Sequence, residues 1–447
     1  MQIILTPKVK NSIRNIIMLF RRLRRIPLIY WNLAGFIAGC IVGLLLYNGE
    51  SAKTVIEILS PLGGILINML KMIVMPIIFF SLIYGSASLP TSTFGRMGMG
   101  VVFWYLATSL YAAFFGTAGA FLFDPDMQIS SVSAELLSQA KTMQASSTQM
   151  GNPFVNLLYS LFANPFKSLA EGNFLPVIVF AIMFGLAARV VMDSAKDEHT
   201  CKTIKLMLDV VDACQKAVAK IVEWIMLYFP IGVFALTCCC FATFGSGLFK
   251  SYVQVAGCVI ICILAMIFIC YPLFILIFCR VNPYPILWKL REPILTAFVT
   301  RSSAATLPVS LRTCLDKLKV RRELSSFTLS LGATVNMDGV CVHLPVFAVL
   351  ACNMFGIEMT IQQILLMILC VVFASIGAGG VPGGSIFLLF LVLEGLHLTP
   401  EQTGIIVALA LGINPILDMF ETACNVAGDN IGTYVVGKHL KMLNSKH

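Results

Sequence analysis

The chain has 447 residues, of which 58% are hydrophobic and only 12% charged, with a mean hydropathy of +0.89. A soluble domain carries about a quarter charged residues, so the composition excludes an ordinary soluble protein and indicates an all-α polytopic membrane protein. The net charge of +9 is no nucleic-acid signal, because the basic residues collect at the edges of apolar runs.

Residues 1–26 hold Lys8, Lys10, Arg14, Arg21, Arg22, Arg24 and Arg25 and no acid. The positive-inside rule puts this end in the cytoplasm. The basic tail 438–447 belongs on the same side, so the number of full crossings is even. No small-residue cleavage site follows the basic start, and no cleavable signal peptide is expected. Apolar runs of membrane-spanning length occur at 28–47, 55–88, 97–123, 153–191, 204–240, 251–280, 323–352 and 401–437, which makes eight. The polar segment 124–152 follows three crossings and is expected outside; 192–202 is expected inside. Fifteen cysteines lie scattered through these runs without the paired spacing of a metal site. They read as small packing residues in a reducing context.

Two more apolar segments do not read as simple spans. One is 285–312, broken by "TRSSAATLP" (300–308); the other is 361–395, broken by "GAGGVPGGS" (377–385). Irregular backbone at membrane depth survives only against protein or a wet cavity, so each reads as a re-entrant hairpin. Each is followed by a span with an internal polar motif. One span separates the hairpins, so they enter from opposite faces as an inverted repeat, the arrangement that marks a transporter site. The glycines of the second tip, Gly380 and Gly384 among them, suit an external gate.

The last span carries Asn414, Asp418, Glu421, Thr422, Asn425 and Asp429. A helix turns about 100° per residue, which gathers all six within an arc of about 100°. Lipid cannot host such a face. Between Arg322 and Lys438 there is no lysine or arginine, so Asp338, Asp418, Glu421 and Asp429 have no local base. Arg301, at the first hairpin tip, is the nearest intramembrane cation, and one arginine does not balance four acids. Bound cations with oxygen ligands follow naturally. "NMDG" (336–339) supports this: local unwinding there would free backbone carbonyls beside Asp338 for Na⁺.

The motifs "AFVTRSSAATLP", "GATVNMDG", "SIGAGGVPGG" and "DMFETACNVAGD", in that order across 285–437, together with "YLATS" (105–109), resemble those of the dicarboxylate/amino acid:cation symporter family, the glutamate and neutral amino acid transporters. The first 280 residues match mainly in span pattern. The resemblance implies a homotrimer of elevator type, with eight transmembrane helices and two re-entrant helical hairpins. The scaffold would be 1–96 and 153–240; the transport domain would be 97–123 and 251–437. One sodium site would use Asp429 with carbonyls of Gly332, Asn336 and Asn425. A deeper one would use Tyr105, Thr108, Ser109, Asn336 and Asp338. A third would use carbonyls around Thr334, Ser375, Ile376 and Ala378. Substrate would meet Arg301, Ser302, Ser303, Val340, Val381, Pro382, Gly383, Asp418, Glu421, Thr422 and Asn425. Its α-carboxylate would go to Ser303, tip amides and Asn425, and its α-amino group to Asp418 near Thr422.

Three positions depart from acidic-substrate members. They resemble this chain except for arginine at Glu421, threonine at Val340 and aspartate at Asn414. A dicarboxylate facing Glu421 in a low-dielectric pocket is strongly disfavoured. Animal glutamate transporters resemble this chain but carry Tyr-Glu where it has His343-Leu344, so potassium counter-transport is not expected. The reading is a sodium-coupled amino acid symporter, not an enzyme, for a neutral or cationic substrate. It would sit in the plasma membrane, the inner membrane in a bacterium, with lipid as its surroundings. Protons could replace sodium, and no organic cofactor or nucleic acid is expected. The alternatives are an acidic amino acid or dicarboxylate symporter, and an ion channel, which needs no hairpins closing on a zwitterion. A hydrolase would need His343 as base, yet no motif ties the Ser-rich tip to it.

Overall fold

A computed structural model describes residues 28–49, 51–87, 95–125, 162–171, 174–375, 383–396 and 398–444. Among these the chain is helical, and the only extended pairing is a single bridge between Val320 and Leu443. Among the described residues, seven helices are long and apolar enough to cross a membrane. The chain is an all-α polytopic membrane protein.

The first half contains α1 (Leu28–Leu46), α2 (Ala52–Ala87), α3 (Gly95–Phe123), α4 (Pro165–Glu171), α5 (Phe174–Ser194) and α6 (Glu198–Phe244). Within the span expected at 153–191, the described residues form α4 and α5. Asn164 starts the short one by accepting from the backbone N–H groups of Phe166 and Lys167. Helix α6 is longer than the expected 204–240. It starts where the Asp197 carboxylate accepts from Thr200 N at 2.8 Å, and stops at Gly245 with φ +67°. Its 47 residues make a rod about 70 Å long.

The second half contains α7 (Gly247–Cys279), α8 (Tyr284–Lys289), α9 (Arg291–Thr300), α10 (Ser303–Asp316), α11 (Arg322–Val335), α12 (Asp338–Phe355), α13 (Ile361–Ser375), α14 (Gly384–Glu394) and α15 (Pro400–His439). Helix α7 carries two π-helical stretches, Met266–Cys270 and Ile275–Cys279, on either side of Pro272. Proline lacks an N–H and crowds the preceding turn, which loosens the ladder there. Segment 285–312 folds as α9 and α10 packed together about a tip at Arg301 and Ser302; α13 and α14 also pack on each other. The second tip, 376–382, lies outside the described residues. Helix α15 is continuous over 40 residues and opens on a capping box between Thr399 and Gln402. All fifteen cysteines are free.

Two groups of helices pack mainly among themselves. In one, α1, α2 and α5 lie against α6. In the other, α3 lies along α12, and α15 is surrounded by α7, α9, α11 and α12. The α1–α6 seam depends on glycine. A Cβ on Gly35, Gly39 or Gly43 would fall 2.5, 2.8 or 2.6 Å from the carbonyl oxygens of Pro230, Phe234 or Cys238. Small residues at every fourth position let two backbones touch, which drives association where lipid offers no hydrophobic gain. Gly39→Val is expected to cost ~1–3 kcal/mol, read as earlier thermal unfolding of the purified protein. Gly64→Ala is the control, since a Cβ there meets nothing within 4 Å. Equal melting of the two variants would show that the seam is loose.

Candidate functional site

The helix that begins as α11 breaks at Asn336 and Met337, whose backbones leave the helical region at φ −98°, ψ 87° and φ −112°, ψ 57°. Asp338 then opens α12. The break turns two polar side chains toward neighbours on three other helices. The Asp338 carboxylate accepts from Ser109 Oγ of α3 at 3.0 Å and from Tyr271 OH of α7 at 2.7 Å. Asn336 accepts from Thr108 Oγ1 at 3.2 Å through its carbonyl oxygen, and donates its amide to Asp429 of α15 at 3.0 Å. Asn336 and Asp338 are wholly buried and Asp429 nearly so.

Glycines let this network close. A Cβ on Gly428 would lie 2.5 Å from Tyr271 OH, 2.9 Å from Asp338 Oδ2 and 3.0 Å from Asn336 Nδ2. One on Gly332 would press on Asp429 and on Tyr105 OH. Tyr105 itself donates to the Thr328 carbonyl at 2.8 Å, nearer Asp429 than Asp338. Asn336 lies between the two carboxylates, and among the described residues their hydrogen-bond donors are hydroxyl and amide groups rather than bases.

About one turn N-terminal along α15 the stripe faces a cavity instead. All six stripe residues are at most 5% exposed, which excludes a lipid-facing role. The cavity measures about 20 Å³ and is lined by Arg301, Ser303, Met337, Val340, Gly384, Ser385, Asp418, Glu421, Thr422 and Asn425. That is room for about one water. Arg301 has φ +53° and ends α9, and Ser302 caps α10 by accepting from Ala305 N at 3.2 Å. The turn brings the guanidinium to 3.7 Å from Asp418. Asp418 also accepts from Gly383 N, at the edge of the second hairpin, at 3.2 Å. Both hairpins therefore meet on one carboxylate. Asn425 accepts from Gly339 N at 2.7 Å, Thr422 donates to the Asp418 carbonyl at 2.7 Å, and Asn414 accepts from Ser385 Oγ at 3.4 Å.

Glu421 has a neighbour that composition did not reveal. His343 Nδ1 of α12 lies 2.5 Å from Glu421 Oε1, with both side chains 2% exposed. The groups touch without hydrogen-bond alignment, since neither has a properly directed partner. The sequence placed no lysine or arginine near Glu421; the structure sets the imidazole of His343 beside it, while Arg301 faces Asp418. Residues separated by a whole hairpin and span met here, beyond the reach of helical periodicity.

Of the substrate positions expected from sequence, Arg301, Ser303, Val340, Asp418, Glu421, Thr422 and Asn425 surround one cavity. Ser302 acts as a helix cap, and Gly383 reaches Asp418 through its N–H. Of the cation positions, Thr108, Ser109, Asn336, Asp338 and Asp429 share one network. Thr334 donates to the Leu331 carbonyl and buried Ser375 to that of Val372. Ile376, Ala378, Val381 and Pro382 lie outside the described residues, as does Gly380. Sequence reasoning missed Tyr271, Met337 and Ser385. The signal for Tyr271 was a phenol in a long apolar run, which needs a buried partner.

A model of the sodium:dicarboxylate symporter family matches residues 28–439. The chain belongs to that family. It is therefore a membrane transporter and not an enzyme. The neutral amino acid transporter B(0) of Bos taurus is 28% identical over 455 residues, covering 94% of this chain and 81% of its own. The mouse (Mus musculus) B(0) transporter is 27% identical, covering 92% and 80%. The serine/threonine transporter SstT of Campylobacter jejuni strain RM1221 is 29% identical over 409 residues, covering 91% and 95%.

Proposed function

We propose that this family member couples inward sodium movement to the uptake of neutral amino acids by an elevator motion. The observation that carries the reading is the division of the α15 stripe. Asp429 joins an oxygen-rich network with Asp338, whereas Asp418 and Asn425 face a cavity between the two hairpins. A symporter needs both: carboxylates for a cation, and a separate cradle for a zwitterion.

Sodium, as cargo, would take Asp429 with carbonyls of Gly332, Asn336 and Asn425, and Asp338 with Thr108, Ser109 and Asn336. Tyr105 supports the first of these from the Gly332 side. A third site would use Thr334 and Ser375 with Ile376 and Ala378. Hard oxygen donors and two unpaired carboxylates suit a monovalent cation. The substrate's α-ammonium would take Asp418 from Arg301, and its α-carboxylate would go to Ser303, Asn425 and the freed guanidinium. The 20 Å³ cavity is too small for this without the second hairpin moving away from Asp418. The packing of α1, α2, α5 and α6 apart from the rest supports a scaffold and a moving domain. The full arrangement would be eight spans and two hairpins, in a trimer of the plasma or bacterial inner membrane, with both ends cytoplasmic.

Acidic substrates are disfavoured by Glu421 at the position facing a substrate side chain, and the names of the B(0) and SstT relatives favour neutral ones. The test is a sodium gradient across proteoliposomes with all twenty amino acids as competitors. Sodium-independent uptake, or competition by aspartate alone, would defeat the proposal.

Asp418→Asn is expected to lose substrate binding and keep sodium binding. Removing one member of a buried charge pair costs ~3–5 kcal/mol, so serine or threonine affinity should fall by two orders of magnitude or more. Isothermal calorimetry in detergent reads both ligands, and unchanged affinity would remove Asp418 from the cradle.

A further inference from the structure

We propose that His343 is the counter-ion of Glu421, and that this neutral pair confines the cavity to amino acids with uncharged side chains. The inference rests on the reading above that the cavity receives an amino acid, and it separates neutral from cationic substrates. A bare Glu421 would repel aspartate but attract lysine or arginine. The pair does neither.

The geometry is specific. Glu421 lines the cavity; His343 does not and stands behind it, on α12. The two helices touch where a Cβ on Gly339 would lie 2.7 Å from the Glu421 Cα. His343 follows one turn later, which brings its Nδ1 to Glu421 Oε1. The imidazole also meets the Phe347 ring edge-on, centroids 4.8 Å apart, and among the described residues its Nε2 has no hydrogen-bond partner. The imidazole is thus held between an apolar ring and one carboxylate.

The other charged groups on the cavity are Arg301 and Asp418, and they face each other. Arg301 is therefore committed, and His343 is the base left for Glu421. A carboxylate buried beside Val340 and Met337 with no base is costly, and an opposite charge at contact distance offsets that cost. A substrate side chain reaching Glu421 then meets a dipole with no net charge. Glu421 remains an acceptor, which suits a hydroxyl or a small apolar group.

His343 touches no substrate in this account, so it is a positioning residue and its signature is selectivity rather than rate. In proteoliposomes, His343→Phe and His343→Gln should strengthen competition by lysine relative to serine roughly tenfold or more. Adding Glu421→Gln to either variant should cancel that gain. Purified protein in sodium gives a second readout that needs no turnover, the thermal stabilisation by lysine against that by serine. An unchanged lysine-to-serine ratio in both variants, by uptake and by melting, overturns the proposal. So does a gain that persists with Glu421→Gln, which would make His343 a merely steric element. Wild-type serine uptake is measured first: its absence would defeat the functional reading itself, whereas its presence with an unaltered ratio defeats only the pairing.

Discussion

Asp338→Asn and Asp429→Asn are each expected to abolish sodium-driven uptake while leaving the protein folded. Asparagine keeps the shape and one carbonyl oxygen, so either Ser109 or Tyr271 can still donate at 338, and Asn336 can still donate at 429. What disappears is the charge that would hold a cation in a buried, oxygen-lined place. Removing one partner of a buried charge pair costs ~3–5 kcal/mol, a loss in sodium affinity of roughly a hundredfold to a few thousandfold. The measurement is radiolabelled sodium binding beside amino acid uptake, with melting temperature as the control for folding. Undiminished sodium binding in both variants would move the coupling ions away from this network. Uptake that instead followed a proton gradient in wild-type liposomes would name the proton as the coupling ion.

The second large effect is a change of substrate. Glu421 and Val340 line the same cavity. Glu421→Arg with Val340→Thr supplies a planar bidentate donor and a hydroxyl where the side chain of a substrate would lie. Aspartate uptake should appear and serine uptake should fall, since the sign of the selecting charge has reversed. The His343 contact adds a condition that the sequence did not suggest. A guanidinium at 421 would face the imidazole with no carboxylate between them, so adding His343→Gln should enlarge the gain. Asn414, which accepts only weakly from Ser385 at 3.4 Å, offers the new arginine no carboxylate from that position. Radiolabelled aspartate uptake reads the result. Aspartate transport by the unmodified protein at micromolar concentration would show that Glu421 does not select the side chain.

Much of this molecule was legible along the chain because helices are local. Apolar run length marked the long helices. A Ser-containing tip between two apolar arms marked α9 and α10, and Asn-Met-Asp-Gly marked the break between α11 and α12. The period of about 3.6 residues per turn placed Asn414, Asp418, Glu421, Thr422, Asn425 and Asp429 on one face of α15, and that whole face is buried. Boundaries were less legible: α6 runs past both expected ends, because caps act over one or two residues that apolar content does not resolve.

The tertiary structure alone decided how the stripe divides and which acid meets which partner. Periodicity says that Asp418 and Asp429 share a face; it cannot say that one meets Arg301 at a hairpin tip while the other meets Asn336 at a helix break. Nor can it bring Tyr271 to Asp338 across 67 positions, or His343 to Glu421. Those pairings depend on how closely two helices approach, and that depends on glycines such as Gly339 and Gly428 lying opposite backbone and side-chain atoms of distant segments. A sequence records the sign and spacing of charges along each helix. Which charges neutralise one another is a property of the distances between helices, because electrostatic energy in a low-dielectric interior follows contact rather than order along the chain.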